Sequence, residues 1–390
     1  MKIPFTRSVL STAGLLLALL AVGALAPRLP AVGQMSWARY VVDLARERHS
    51  YTFGESNGYY ETLMSPSSSK SGPADLPPVM WLTNNDSERT RIPGDQLFDA
   101  DPFLIYKPKP NLDLANTSEG AVKTNAFGFF DRPWPLTKSP RTRRIVVFGD
   151  SVIRGTGVTY DQRFESLLEN KLNTGRNQHC EILNLAVGGY MLTQMFGMAV
   201  EKAPAFHPDV YVIAVTDRTG NPIWAKYLAK LVQDGQDLRY DVLREIVAEA
   251  GVTKEDSTAT AQEKLAPYRV SAMHSIFLEL KAHAERQSAE LVVFFVPSLQ
   301  EEAVLDASYS PVRESLRGTG IPVIDASNTF SNVDHDKYRL DWFDQHPNAI
   351  GHQMIADNLY RKLRENPEAW ADFTGEAETA ENVDISASAR

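Results

Sequence analysis

The sequence predicts an α/β fold built on a central parallel sheet of about five strands. Three observations carry that expectation. Apolar, β-branched runs recur along the chain, at Ile145–Phe148, Val210–Val215 and Leu291–Val296, and read as strands buried on both faces. Stretches with helical apolar spacing alternate with them, as a parallel sheet requires. The first strand stops abruptly at Gly149-Asp150-Ser151, presenting a hydroxyl at the carboxyl edge of the sheet, where open α/β folds bind ligands.

Composition narrows the function classes. The chain has 390 residues, enough for one large domain with appendages. Its net charge is −9, and its only basic cluster is Arg141, Arg143 and Arg144, which argues against nucleic acid as a partner. A single cysteine, Cys180, excludes an intrachain disulfide and any Cys-rich metal site, and its place in a strand reads as a buried, inert thiol. No cluster has metal-ligand spacing, so neither a metal nor a cofactor is expected.

The amino terminus reads as an export segment. Lys2 and Arg7 precede an apolar stretch from Ala13 to Ala26, so residues 1–33 are expected to be a signal peptide or signal anchor. Ala24-Leu25-Ala26 has the form of a cleavage site, but Pro27 opposes cleavage. Extended back to Val9, the stretch reaches the length of about 17–25 residues that spans a bilayer. The expected location is the periplasm or cell envelope, with a membrane tether if the segment is retained. Residues 34–140 are expected to be a membrane-proximal linker, with a helix over 35–48, followed by extended aromatic pieces packed on the core.

From Arg144 onward the elements follow in order. Strand one, Ile145–Phe148, leads to a helix over 162–173 with Phe164, Leu167, Leu168 and Leu172 at helical spacing. Strand two, Glu181–Leu185, ends at Ala186-Val187-Gly188-Gly189-Tyr190, and a helix over 192–202 follows. Strand three, Val210–Val215, is followed by Thr216-Asp217-Arg218-Thr219-Gly220-Asn221. Residues 222–265 are helical and longer than a connection needs, so they are expected to form an inserted cap. A helix over 270–287 feeds strand four, Glu290–Val296; a helix over 311–317 precedes strand five, 322–325; the last helix spans 347–363. The α/β domain thus covers 141–366, and 372–390 read as a disordered acidic tail.

A serine hydroxyl becomes a nucleophile only when a base takes its proton and a carboxylate orients that base. Among eight histidines, His346 stands out in Asp341-Trp342-Phe343-Asp344-Gln345-His346-Pro347-Asn348, on a loop that opens on the same sheet edge as Ser151. Asp344 is the expected orienting carboxylate, with Asp341 a second candidate; His352, one helical turn on, reads as structural. The competing reading makes Gly149-Asp150-Ser151 a turn with Asp150 or Ser151 as a helix cap, and Asp344 a cap of the last helix.

Gly149-Asp150-Ser151, Asn184-Leu185-Ala186-Val187-Gly188-Gly189 and Asp344-Gln345-His346-Pro347-Asn348 together resemble the blocks of the SGNH/GDSL hydrolase superfamily, in order and in the strand that leads each. Thr124–Phe129 and Gly155–Val158 are similar to an exported bacterial branch, and Asp344 two residues before His346 is similar to the spacing of alginate O-acetyltransferase-like proteins. The resemblance implies a three-layer flavodoxin-like sandwich, with Ser151 as nucleophile, His346 as base, and the amides of Ser151 and Gly189 in the oxyanion hole. The family's third donor is an asparagine after strand three. Here Arg218 is the favoured replacement, with Asp217 and Asn221 as alternatives. The implied function is a serine esterase or O-acyltransferase acting on an acyl, notably acetyl, ester of an extracellular carbohydrate. A non-catalytic carbohydrate-binding or scaffold protein with a relict site is the alternative.

Overall fold

The computed structural model describes residues 94–117, 120–176, 179–300, 302–340 and 344–375. The export segment, the expected helix over 35–48, the linker before residue 94, Asp341 and the tail after Gly375 lie outside the described residues.

A short helix α1 (Gly94–Leu97) leads into an antiparallel hairpin, β1 (Phe98–Asp101) with β2 (Ile105–Pro108). A second hairpin pairs β3 (Asp113–Thr117) with β4 (Gly120–Lys123). The α/β part then begins with β5 (Thr142–Phe148), α2 (Ser151–Arg154), α3 (Phe164–Asn173) and β6 (His179–Asn184). It continues through α4 (Leu192–Glu201), β7 (Val210–Val215), α5 (Trp224–Gln233), α6 (Asp241–Ala250), α7 (Thr258–Leu265), α8 (Arg269–Arg286) and β8 (Glu290–Phe295). It closes with α9 (Glu302–Leu316), β9 (Val323–Asp325), α10 (Ala349–Arg364) and α11 (Pro367–Thr374).

Strands β5 to β9 form an all-parallel five-stranded sheet in the order β6-β5-β7-β8-β9, the doubly wound order that crosses over beside its first strand. The uninterrupted apolar runs are explained by burial on both faces. Ile145, Val147, Val212, Val292 and Phe294 face a core shared with α3, α10 and α11. Their neighbours Val146, Phe148, Tyr211, Ile213, Val293 and Phe295 face a second core, built by α4 to α9 and by the first hairpin. Each fully buried Leu, Ile, Val or Phe contributes about 1.5–3 kcal/mol, so these two layers supply most of the drive to fold.

Arg144 anchors the amino-terminal segment to the start of the sheet. Its guanidinium is fully buried, with Nε donating to Glu181 (2.8 Å), Nη1 to the carbonyls of Leu136 and Phe206 (2.9 and 2.8 Å) and Nη2 to that of Pro135 (3.0 Å). A buried charge survives only when paired and hydrogen-bonded in this way.

Several boundaries differ from the sequence reading. The helix expected at Pro311 begins at Glu302 and carries Pro311 inside it, at a cost of about 3 kcal/mol for an interior proline that burial of Tyr309, Val312 and Leu316 offsets. Pro347 precedes the last helix, whose cap is Asn348, accepting from the amides of Ile350 and Gly351. A separate helix, α11, runs from Pro367 to Thr374 with Trp370 and Phe373 buried, so residues 372–374, expected in the tail, are helical. The 222–265 segment is three helices, α5 to α7, whose apolar faces join the second core.

Candidate active site

Ser151 is the first residue of α2, directly after the β5 strand and the Gly149-Asp150 turn. Asp150 caps the helix, its Oδ1 accepting from the amide of Val152 at 2.9 Å, while its Oδ2 accepts from Thr216 Oγ1 at 2.5 Å. The cap reading and the nucleophile reading therefore coexist: Asp150 caps, and Ser151 is left with its hydroxyl available. Thr156 Oγ1 donates to the Ser151 carbonyl (3.0 Å), and Arg154 Nη2 donates in turn to Thr156 Oγ1 (2.7 Å) from beneath the Phe130 ring.

The His346 loop reaches Ser151 from the other end of the domain. Ser151 Oγ lies 2.7 Å from His346 Nε2, and His346 Nδ1 lies 2.6 Å from Asp344 Oδ1, which also accepts from the His346 backbone amide at 3.0 Å. With Asp344 ionised, Nδ1 carries the proton and Nε2 is left as the acceptor for the serine hydroxyl. Burial pushes the Asp344 carboxyl up, but the hydrogen bond and charge of His346 outweigh it and hold the carboxyl below its ordinary range.

The loop is placed by its own backbone. Leu340 N–H donates to the His346 carbonyl (2.9 Å), and Asn348 N–H to that of Tyr338 (2.8 Å). Leu340 also packs on Gly157, where a Cβ would fall 2.2 Å from its Cδ1 and where φ is +81°. Only glycine lets the turn after Ser151 approach the His346 loop this closely.

The second block runs beside Ser151. Leu185 N–H bonds the Val147 carbonyl and Val187 N–H that of Gly149, so pairing continues past the ends of β5 and β6. Asn184 ties three pieces together: its Nδ2 donates to the Ile153 carbonyl (2.7 Å) and to Glu165 Oε1 (2.6 Å), and its Oδ1 accepts from Ala186 N–H (2.9 Å). Gly189 follows at φ +78°, and neither its amide nor that of Ser151 donates to an acceptor among the described residues.

The loop after β7 is occupied differently by its three candidates. Burial and the neighbouring Asp150 charge push the Asp217 carboxyl up, against the pull of Ser298 and Arg218. Asn221 is exposed and turns its Oδ1 to the amide of Ile223 (3.0 Å). Arg218 is half-buried, its amide facing Thr216 Oγ1 at 3.4 Å. The structure thus brings Ser151, His346 and Asp344 together, while the loop contacts leave the third donor open.

His352 is buried against the start of α3, its Nδ1 accepting the Phe164 N–H. Sequence reasoning missed Thr216, Thr156 and Leu340. A hydroxyl directly after strand three was the one available signal for Thr216; Thr156 and Leu340 act through backbone contacts that no spacing announces. Among the described residues no group of three or more His, Cys, Asp or Glu side chains forms a metal site, and no helix is long and apolar enough to cross a membrane.

No protein-family model matches the chain, and no curated protein matches it. Among solved structures it is similar to TesA, at 12% identity over 57% of this chain and 99% of that one, with a TM-score of 0.38. It is similar to the acetyl xylan esterase AlAXEase, at 15% identity over 56% and 98%, with a TM-score of 0.37. It is also similar to a lipase/acylhydrolase from Enterococcus faecalis, at 12% identity over 57% and 96%, with a TM-score of 0.37.

Proposed function

We propose that this chain is a serine-dependent acyl-ester hydrolase or O-acyltransferase working through an acyl-enzyme on Ser151. One observation carries the reading: a serine hydroxyl 2.7 Å from an imidazole nitrogen whose other nitrogen is held by a carboxylate at 2.6 Å. His346 Nε2 takes the hydroxyl proton as Ser151 Oγ bonds to the ester carbonyl carbon. The protonated imidazole, stabilised by Asp344, then returns that proton to the leaving alcohol oxygen as the ester C–O bond breaks. Water or a second alcohol repeats the sequence in reverse on the acyl-enzyme.

The oxyanion is bound by the amides of Ser151 and Gly189, with Arg218 as third donor adding positive charge where negative charge develops. The resemblance of the three sequence blocks supports this reaction class. With the export segment, it supports an acetyl ester of an extracellular carbohydrate as substrate, met outside the cytoplasmic membrane by a chain that its first 33 residues can tether.

A fluorophosphonate probe tests the reading. Covalent labelling of the folded protein, lost in Ser151→Ala, is the expected result; a folded protein that is not labelled at all would overturn it in favour of a carbohydrate-binding scaffold. Product analysis with an acetylated sugar, with and without an acceptor sugar, separates hydrolysis from transfer.

A further inference from the structure

The turn that carries Gly189 is bonded by one hydroxyl from outside the α/β part, and its two central glycines make the orientation of its middle peptide a matter of that bond. Tyr190 N–H bonds the Val187 carbonyl at 3.1 Å, closing a four-residue turn with Gly188 and Gly189 at its centre. Gly189 has φ +78° while Gly188 is not among the positive-φ glycines, the pattern of a type II turn. Type I and type II turns share their ends and differ in the central peptide, which is turned over between them. With glycine at both central positions, no Cβ forbids either state.

The orientation of that peptide decides what Gly189 can do. The peptide is trans, so the Gly188 carbonyl and the Gly189 N–H point to opposite sides. On the carbonyl side stands Tyr106, fully buried on β2, whose hydroxyl donates to the Gly188 carbonyl at 2.8 Å across 82 residues of sequence. On the other side the Gly189 N–H is buried and has no acceptor among the described residues. Flipping the peptide would break the Tyr106 bond and turn the amide away.

Tyr106 itself is held from three directions. Tyr190 OH donates to its carbonyl (2.6 Å), Phe98 packs edge-on to its ring at 5.1 Å, and the Tyr190 ring lies 5.5 Å away. The hairpin is fixed further by Gln194 Nε2 donating to the Leu104 carbonyl (2.8 Å) and Tyr227 OH to that of Phe103 (2.6 Å).

We propose that Tyr106 is a positioning residue for the oxyanion hole, holding the Gly188–Gly189 peptide in the orientation that aims the Gly189 amide at the reacting carbonyl. The inference rests on the acyl-transfer reading of the site and adds to it a dependence on the first hairpin. Misplacing a donor costs less than deleting one, which lowers the rate about 100–1000-fold, so Tyr106→Phe is expected to lower kcat about 10–100-fold.

The test is Tyr106→Phe in the full chain, which removes one oxygen and keeps the ring. With p-nitrophenyl acetate, kcat should fall and KM should hold within about twofold, because the amide acts on charge that forms only in the transition state. Tyr227→Phe, which loses a comparable buried hydroxyl that reaches the Phe103 carbonyl from α5 and does not touch the Gly188–Gly189 peptide, should keep its kcat. In parallel, 15N-glycine labelling should show the Gly189 amide shifted and exchanging faster in Tyr106→Phe than in Tyr227→Phe. An unchanged kcat, or an equal loss in both variants, overturns the inference. If the wild-type protein neither turns over the ester nor reacts with a fluorophosphonate, the acyl-transfer reading fails by itself. The Gly189 amide still decides whether Tyr106 sets the turn, and an unaltered amide overturns that as well.

Discussion

Ser151 and His346 meet through elements of the central sheet and the loop after it, whereas the Gly188-Gly189 turn is held by a hairpin 82 residues upstream. The first half also joins distant parts of the chain, 195 residues apart, but each part is fixed by the element that carries it: β5 with its capped turn delivers Ser151, and one loop delivers both Asp344 and His346. The second half has glycines at its centre and borrows its rigidity from Tyr106. On the proposed function, the proton-transfer half is shaped by the elements that bear its side chains, and the charge-stabilising half by packing against the first hairpin.

The largest way to break the first half is to delete the Ser151 hydroxyl, the nucleophile of the proposed function. Ser151→Ala is expected to lower kcat by about 10⁴-fold or more, leaving only what binding and charge stabilisation supply. Asp344→Asn should cost about 10³–10⁴-fold, because an amide can present its NH₂ to Nδ1 and favour the wrong imidazole tautomer. Both are read as single-turnover rates with an activated ester. Each should far exceed the loss in Tyr106→Phe. A Tyr106→Phe loss as large as that of Asp344→Asn would erase the distinction between the two halves.

The same division explains what the sequence made legible. The parallel sheet was visible because strands buried on both faces leave continuous apolar runs. Ser151, His346 and Asp344 were visible because each follows a strand or turn whose chemistry shows locally. The hairpin at 98–108 was not, because Pro102, Pro108 and Pro110 suggest extended chain, and its pairing appears only once Phe98, Phe103 and Tyr106 are buried against α4 and α5. The bond from Tyr106 to Gly188 joins two positions with no motif between them. Helix α11 was hidden for a similar reason: Trp370 and Phe373 are two apolar residues in a polar context, and they take meaning only from the core beneath β8.

His352 sharpens the comparison from within the histidine element. It lies six residues after His346 but is buried, stacked on Phe164, and its Nδ1 accepts the Phe164 N–H at 3.2 Å, supplying from another helix the cap that Arg163 does not give α3. Burial first, then the charges of Arg163 and His346, push its pKa down to about 3. A folded pKa below the unfolded value of about 6.5 means stability is intact above 6.5 and is lost as pH falls toward 3, at about 1.4 kcal/mol per unit. His352→Asn keeps an acceptor for Phe164 N–H and removes the titration. Between pH 6.5 and 3.5 its urea-unfolding free energy should change by about 4 kcal/mol less in the destabilising direction than that of the wild type, the part that this group supplies. An equally steep decline in the variant would show that His352 is not the titrating group.

Glu165 gives the opposite sign at the seam between the two halves. It sits in α3 under Asn184, which donates to it and to the Ile153 carbonyl, so it helps hold α2 against β6. Burial, opposed by Arg163 and by the Asn184 bond, pushes its carboxyl up to about 7. A folded pKa above the unfolded one means its contribution is complete below about 4.5 and is lost as pH rises through 7. The shift corresponds to about 3 kcal/mol at full ionisation. Glu165→Gln keeps an oxygen for Asn184 and cannot ionise, so between pH 5 and 8 it should lose less stability than the wild type by about that amount. Because the Gly189 turn is fixed by Tyr106 and not by Glu165, the variant should also keep its Gly189 amide signal unmoved across that pH range. A pH-dependent shift of that amide in the wild type, abolished in Glu165→Gln, would show that the two halves are coupled through Asn184 and would overturn their independence.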